Sequence, residues 1–366
     1  VIKILIVDDS ALVRKLLGGI FVAAGGFEVE FARTGVEALE KIPTFDPAVV
    51  TLDVTMPVMD GLACLDRIMI EHPRPVVMVS SLTAAGAQTA LEALRLGAVD
   101  VVAKPTGAVS LGIDDMAGAL VEKVRSAASA RLPSSLRLAE RVRHRAAAGR
   151  QRTKAGLAPG SAVAIAAPAR LAGDGLVLIG TSTGGPPALE AVLTKLEAGF
   201  PWPILIVQHM PAMFTSALAK RLDGLCALKI VEVSDATKLQ PGYAYIARGD
   251  ADMVVSRRGE ALFAMAAPPL ANYLWRPSVE RMVRTAMEHV KPSQLIAVMM
   301  TGMGSDGAPA MTDLRAAGGR TIAESEDSAV VWGMPGELAK AGGAEWVVPL
   351  PEIAALVSEL APQPCP

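Results

Sequence analysis

Short apolar runs that stop at a polar residue, each followed by an amphipathic stretch, recur through most of this 366-residue chain. That alternation constrains the fold more than any other feature. A strand apolar on both faces must be covered on both faces, and an intervening helix is what returns the chain to lay down a parallel neighbour. In the first 125 or so residues the runs lie at 4–7, 28–31, 49–53, 76–79 and 101–102, each with a helical pattern behind it. From Gly175 the alternation resumes, with candidate strands at 176–179, 204–208, 228–232, 244–246, 296–300, 321–323 and 345–348. Helical patterns fall near 186–198, 213–222, 278–290, 308–317 and 335–340, and residues 240–265 read as a hairpin excursion. The fold class expected is α/β, with two doubly wound parallel-sheet domains joined by a linker. Ligands should then gather at the carboxyl ends of the strands.

The boundaries read as 1–125 for the first domain, 126–172 for the linker and 173–360 for the second domain. The linker is rich in Ala, Gly and Pro and carries Arg131, Arg137, Arg141, Arg143, Arg145, Arg150, Arg152 and Lys154 against Glu140, with room for one helix in its first half. Without interleaved aromatics this basic run reads as a solvated, self-repelling spacer and not as a nucleic-acid or membrane contact. A net charge of -2 gives no electrostatic case for nucleic acid. No apolar run reaches the roughly 18 residues of a membrane span, so neither a signal peptide nor direct membrane insertion is expected. Cys64, Cys226 and Cys365 are odd in number and far apart, which fits neither a disulfide framework nor a zinc site and points to the cytoplasm.

Two sets of strand-end residues carry chemistry. In the first domain Asp8 and Asp9 end the first strand, Asp53 the third, Ser80 the fourth, and Lys104 with Pro105 the fifth. Three carboxylates on one sheet edge repel each other and suit a hard divalent cation such as Mg²⁺. The metal, Ser80 and Lys104 would supply the positive charge and hydrogen bonds that stabilise a phosphoryl group moving onto Asp53. These residues, with Val7-Asp8-Asp9-Ser10, Leu52-Asp53-Val54-Thr55-Met56-Pro57-Val58-Met59-Asp60-Gly61 and Lys104-Pro105, resemble the receiver domain of two-component response regulators. The resemblance implies a flavodoxin-like fold and phosphorylation of Asp53 by a histidine kinase. It also implies Mg²⁺ on Asp8, Asp9 and Asp53, and Ser80 and Lys104 reading the phosphorylated state. One departure is Val101, at a position usually aromatic in receivers.

The second set begins at Gly180-Thr181-Ser182-Thr183-Gly184-Gly185, a strand-to-helix turn of the G-x-S-x-G type that can lift a serine hydroxyl off a sheet edge. The same residues could simply cap the following helix. Of four histidines, His209 alone follows a strand directly, which puts it on the edge of Ser182. Asp306 follows the strand at 296–300, where it could fix the imidazole tautomer, and an amide near Met303 could serve an oxyanion. A rival reading exists, since Gly302-Met303-Gly304-Ser305-Asp306-Gly307 is literally G-x-G-x-x-G with Glu324 about twenty residues on, the dinucleotide-binding pattern. It leaves Ser182 and His209 without a role. The order Ser, His, Asp also differs from that of α/β-hydrolases.

With Gln208-His209-Met210-Pro211 and Trp275-Arg276-Pro277-Ser278-Val279 added, the second half resembles the chemotaxis receptor methylesterases, a Rossmann-like domain, over about 175–355. The resemblance implies hydrolysis of glutamate methyl esters on chemoreceptors with release of methanol, and in many members deamidation of glutamine. By it, Ser182 is the nucleophile, His209 the base and Asp306 its partner. Met303 becomes an oxyanion donor, Thr183 and Arg276 line the site, and ester hydrolysis needs no cofactor. A single tether between the domains predicts that the receiver covers the active-site edge until Asp53 is phosphorylated. A catalytically inactive phospho-dependent scaffold, a DNA-binding regulator and a nucleotide-binding regulator stay open as alternatives.

Overall fold

The computed structural model describes residues 1–81, 83–104, 113–132 and 174–361. The expectations for Pro105, for a helix in the first half of the linker, and for most of the linker's basic residues lie outside them. The first domain is a five-stranded sheet in the order β2-β1-β3-β4-β5, every pair parallel. Its strands are β1 (Ile2–Val7), β2 (Phe27–Ala32), β3 (Val49–Asp53), β4 (Val76–Ser80) and β5 (Asp100–Ala103). Helices α1 (Ala11–Ala24), α2 (Gly35–Phe45), α3 (Gly61–Glu71), α4 (Ala84–Leu96) and α5 (Ile113–Ala128) complete the doubly wound layers. Helix α5 runs three residues into the stretch assigned to the linker. Strands β3 and β4 are buried along their whole length, as continuous apolar runs require. Ser10, Thr34, Asp60 and Thr83 each accept an amide of the first turn of the helix they precede, which fixes where those helices start.

The second domain holds β6 (Leu176–Thr181), α6 (Gly185–Leu193), β7 (Ile204–Gln208), α7 (Ala212–Asp223), β8 (Lys229–Val233), β9 (Thr237–Lys238), β10 (Tyr243–Ala247), β11 (Asp252–Arg258) and β12 (Ala261–Ala267). It continues with α8 (Val279–His289), β13 (Leu295–Met299), α9 (Ala308–Ala316), β14 (Arg320–Glu324), α10 (Met334–Lys340), β15 (Trp346–Val348) and α11 (Leu350–Leu360). Seven parallel strands stand in the order β15-β14-β13-β6-β7-β10-β8. The chain lays down β6 and then winds outward on both sides, so the crevice at the carboxyl ends of β13, β6 and β7 is the topological switch point.

The excursion is narrower than its sequence pattern suggested. β10 belongs to the main sheet between β7 and β8, and only β11 and β12 form the antiparallel hairpin, with the short β9 as its third strand. Helix α6 stops at Leu193, short of 198, because residues 194–196 turn to bring Phe200 and Trp202 into the core. Among the described residues no helix is long and apolar enough to cross a membrane.

The receiver sheet is docked directly on the second domain. Leu91 and Leu94 of α4 belong to one apolar cluster with Leu218 and Leu222 of α7, and α4 packs against both α6 and α7. The edge strand β5 lies beside the turn that follows β6. There the Gly184 amide donates to the Val99 carbonyl at 3.1 Å, and the Thr183 hydroxyl donates to Asp100 Oδ2 at 2.6 Å. Past α5, the Arg131 amide donates to the Val330 carbonyl at 2.9 Å, and its guanidinium pairs with Glu326 at 2.7 Å.

Candidate active site

At the carboxyl edge of the receiver sheet, Asp8, Asp9 and Asp53 each place a carboxylate oxygen within 4.8 Å of the others. Lys104 Nζ stands 2.7 Å from Asp53 Oδ2 and 3.0 Å from Asp8 Oδ2. Burial raises the Asp53 carboxyl above the ordinary range, with the nearby Asp8 charge adding to the shift and Lys104 opposing it. Burial works against the Lys104 charge, yet its hydrogen bonds to Asp53 and Asp8 outweigh that and hold the ammonium above its usual value. Ser80 is the member that faces elsewhere. Its hydroxyl donates to the Gly86 carbonyl at 3.1 Å, so it is tied to the first turn of α4 and not to Asp53. Val101 is fully buried in the sheet, leaving no aromatic ring at that position to swing.

In the second domain three adjacent strands bring Ser182, His209 and Asp306 to one crevice, from the ends of β6, β7 and β13. His209 Nε2 lies 2.9 Å from Asp306 Oδ2. The carboxylate is held by three further donors. The Val279 amide donates to Oδ2 at 2.7 Å, while the Ser278 hydroxyl and the Glu280 amide donate to Oδ1 at 3.0 and 3.1 Å. Asp306 therefore sits on the amino end of α8, where free amides and the helix dipole favour an anion. Burial alone would raise its carboxyl, but the His209 and amide hydrogen bonds outweigh burial and keep it below the ordinary range. Because Nε2 serves the acid, Nδ1 is left as the basic nitrogen.

His209 Nδ1 and Ser182 Oγ are both buried, and neither has a hydrogen-bond partner among the described residues. Trp275 stacks on the imidazole at 5.1 Å between ring centres and only 4° from parallel, shielding its face from water. The amides of Thr183 and Met303 likewise meet no acceptor among the described residues, whereas the Ser182 amide is occupied by the Thr301 carbonyl at 3.0 Å. Gly302 lets this approach happen: a Cβ there would stand 2.8 Å from that of Ser182. Arg276 is exposed beside Trp275.

Three positions not singled out for the site hold this geometry. Gln208 accepts from the Thr181 hydroxyl at 2.7 Å and donates to the Ser182 carbonyl at 2.9 Å, binding the ends of β6 and β7 together. The Thr301 hydroxyl donates to the Thr183 carbonyl at 2.8 Å. Ser278 both caps α8 and supports Asp306.

Glu324, the acid that completed the dinucleotide pattern, is folded inward and fully buried. It accepts from the Thr301 amide at 2.8 Å and the Ser328 hydroxyl at 2.9 Å. A carboxylate so engaged has nothing to offer a ribose, which removes the structural basis of that reading.

Burial pushes the Glu324 carboxyl from 4.5 up to about 7, against those two hydrogen bonds. Between these values the folded chain holds a proton that the unfolded chain has released. Its contribution is therefore complete below about pH 4.5 and is lost as pH rises through about 7. The shift corresponds to about 3 kcal/mol. Glu324→Gln, isosteric with the protonated acid, should match the wild type in urea unfolding at pH 4.5 and exceed it by about 3 kcal/mol at pH 9. Parallel pH profiles for the two proteins would refute this.

Fold and site together define a response regulator whose output domain is a hydrolase built on a doubly wound, Rossmann-like parallel sheet. A family model described as response regulator receiver domain matches residues 4–112, and one described as CheB methylesterase matches residues 177–357. The chain belongs to the CheB methylesterase family. It is 58% identical over 363 residues to the protein-glutamate methylesterase/protein-glutamine glutaminase 2 of Rhodopseudomonas palustris, covering 98% of each. A second relative, protein-glutamate methylesterase/protein-glutamine glutaminase 3 of Rhodospirillum rubrum, is 50% identical over 96% of this chain and 94% of its own. The crystal structure of the Thermotoga maritima CheB methylesterase catalytic domain superposes with a TM-score of 0.50 at 36% identity, covering 51% of this chain and 99% of that one.

Proposed function

We propose that this protein hydrolyses γ-methyl esters of glutamate on chemoreceptors, and the side-chain amide of glutamine there, under the control of phosphorylation at Asp53. The observation that carries the reading is that Ser182 Oγ and His209 Nδ1 are buried with no partner among the described residues, while the same imidazole is anchored at Nε2 by Asp306. Desolvated polar atoms without partners are costly and persist where they are used. Ser182 Oγ attacks the ester carbonyl carbon and its proton passes to His209 Nδ1, with Asp306 stabilising the imidazolium. The amides of Thr183 and Met303 take the developing oxyanion. Collapse breaks the bond to the methoxy oxygen, which receives the proton from His209 and leaves as methanol; with glutamine the product is ammonia. Water then gives a proton to His209, attacks the acyl carbon and frees Ser182, leaving a glutamate. Arg276, exposed at the rim, faces the incoming chain.

In the receiver, Asp8, Asp9 and Asp53 form a cluster of hard oxygen donors that suits Mg²⁺, which would neutralise charge on a phosphoryl group moving from a histidine kinase to Asp53. Lys104, 2.7 Å from Asp53, would pair with that group. Ser80 would leave the Gly86 carbonyl to bond it, loosening the start of α4, the helix packed on the second domain. A chemoreceptor substrate and a kinase donor imply the cytoplasm, in keeping with the free thiols of Cys64 and Cys226. Methanol release from methylated receptors should rise with acetyl phosphate and Mg²⁺ by about tenfold or more, the equivalent of releasing one charge-assisted hydrogen bond between the domains. Asp53→Asn should show no rise. Activation of Asp53→Asn as strong as that of the wild type would overturn the phosphorylation control.

A further inference from the structure

The contact between β5 and the turn after β6 has a chemistry of its own. Thr183 and Gly184 follow Ser182 directly; both are buried, and each donates one hydrogen bond to the receiver. What the receiver presents is a peptide carbonyl, from Val99, and then the carboxylate of the next residue, Asp100. Asp100 is itself oriented on its other oxygen by Lys123 Nζ at 2.9 Å and the Val101 amide at 2.7 Å. The turn thus binds an extended pair, a backbone acceptor followed by an acidic side chain, one residue away from the buried and unpartnered Ser182 hydroxyl. These donors belong to the hydrolase domain, and once the receiver lifts away both lose their partners.

Resting on the esterase reading above, we infer that the Thr183 hydroxyl and the Gly184 amide are a substrate subsite for an acidic residue next to the esterified glutamate. In the resting protein Asp100 and Val99 occupy it as an internal mimic of that substrate segment. The receiver then competes with substrate for the same donors. One hydroxyl has opposite effects in the two states: its removal loosens the resting protein and weakens substrate binding in the activated one.

The test uses the full-length protein and synthetic peptides carrying γ-methyl glutamate next to either Glu or Ala, with and without acetyl phosphate and Mg²⁺. With phosphoryl donor, the wild type should favour the Glu-flanked peptide by about tenfold in kcat/KM, chiefly through KM, as expected for one charge-assisted hydrogen bond. Thr183→Val should lose that preference and Thr183→Ser should restore it. Without donor, Asp100→Ala should hydrolyse the Glu-flanked peptide about tenfold faster than the wild type, and with donor it should match the wild type. Hydrolysis of both peptides by the wild type at equal rates, or an undiminished preference in Thr183→Val, overturns the subsite alone. Failure of the activated wild type to release methanol from either peptide overturns the esterase assignment and the subsite with it.

Discussion

Ser182→Ala is expected to lower the rate of methanol release by about 10⁶-fold in kcat while leaving the fold intact. The size follows from removing the attacking atom from a group that acts as a unit with His209 and Asp306. Stability should move the other way. The Ser182 hydroxyl is buried with no hydrogen-bond partner among the described residues, so its deletion breaks no bond and relieves a desolvation cost of about 1 kcal/mol. The combined signature is an inactive enzyme with an unfolding midpoint equal to or above that of the wild type, read by methanol release and thermal denaturation on one preparation. Residual methanol release near the wild-type rate would remove Ser182 from the mechanism. It would also revive the view of this domain as a phosphorylation-dependent scaffold.

Asp306→Asn should lower kcat by about 10⁴-fold and, unlike Ser182→Ala, should also destabilise the domain. The carboxylate accepts from two amides and a hydroxyl as well as from the imidazole, two donors to each oxygen. A carboxamide keeps one acceptor and turns an N–H₂ group toward donors. Either the Val279 amide and His209 Nε2 or the Ser278 hydroxyl and the Glu280 amide then lose their partner. A buried donor left unpaired costs about 1–3 kcal/mol, so the unfolding midpoint should fall together with the activity. A variant of wild-type stability and a hundredth or more of the activity would mean that Asp306 supports neither the imidazole nor α8.

Much of the site was legible because its chemistry sits where apolar runs end. Asp53 ends a strand and Asp8, Ser182, His209 and Asp306 each follow one, and in a doubly wound sheet that position alone brings the residues of each domain to one edge of its sheet. What could not be read depends on which strands become neighbours. Glu324 matched a ribose-binding spacing along the chain, but β14 pairs with β13, and this adjacency turns its carboxyl onto the Thr301 amide. Gln208 looked like the polar end of a strand; its amide spans β6 and β7 only because those two strands pair. Asp100 lies just before the run read as a strand at 101–102, and nothing local announces a partner at Thr183, on the other domain. The candidate strand at 244–246 falls inside the stretch 240–265 that reads as a hairpin excursion, while the parallel pairing with β7 and β8 that claims it is nonlocal.

Strand β5 has a consequence for how the protein can be tuned. Its leading residue, Asp100, holds Thr183, and the residue just past its end, Lys104, holds Asp53, so about 13 Å of extended backbone separates the two chemistries. The intervening Val101, Val102 and Ala103 contribute no group to either centre, yet under the proposed phosphorylation control their packing would set how stiffly the strand transmits a displacement. Volume changes at these three positions are a route by which the ratio of resting to stimulated turnover can drift between related bacteria while both reaction centres stay chemically unaltered.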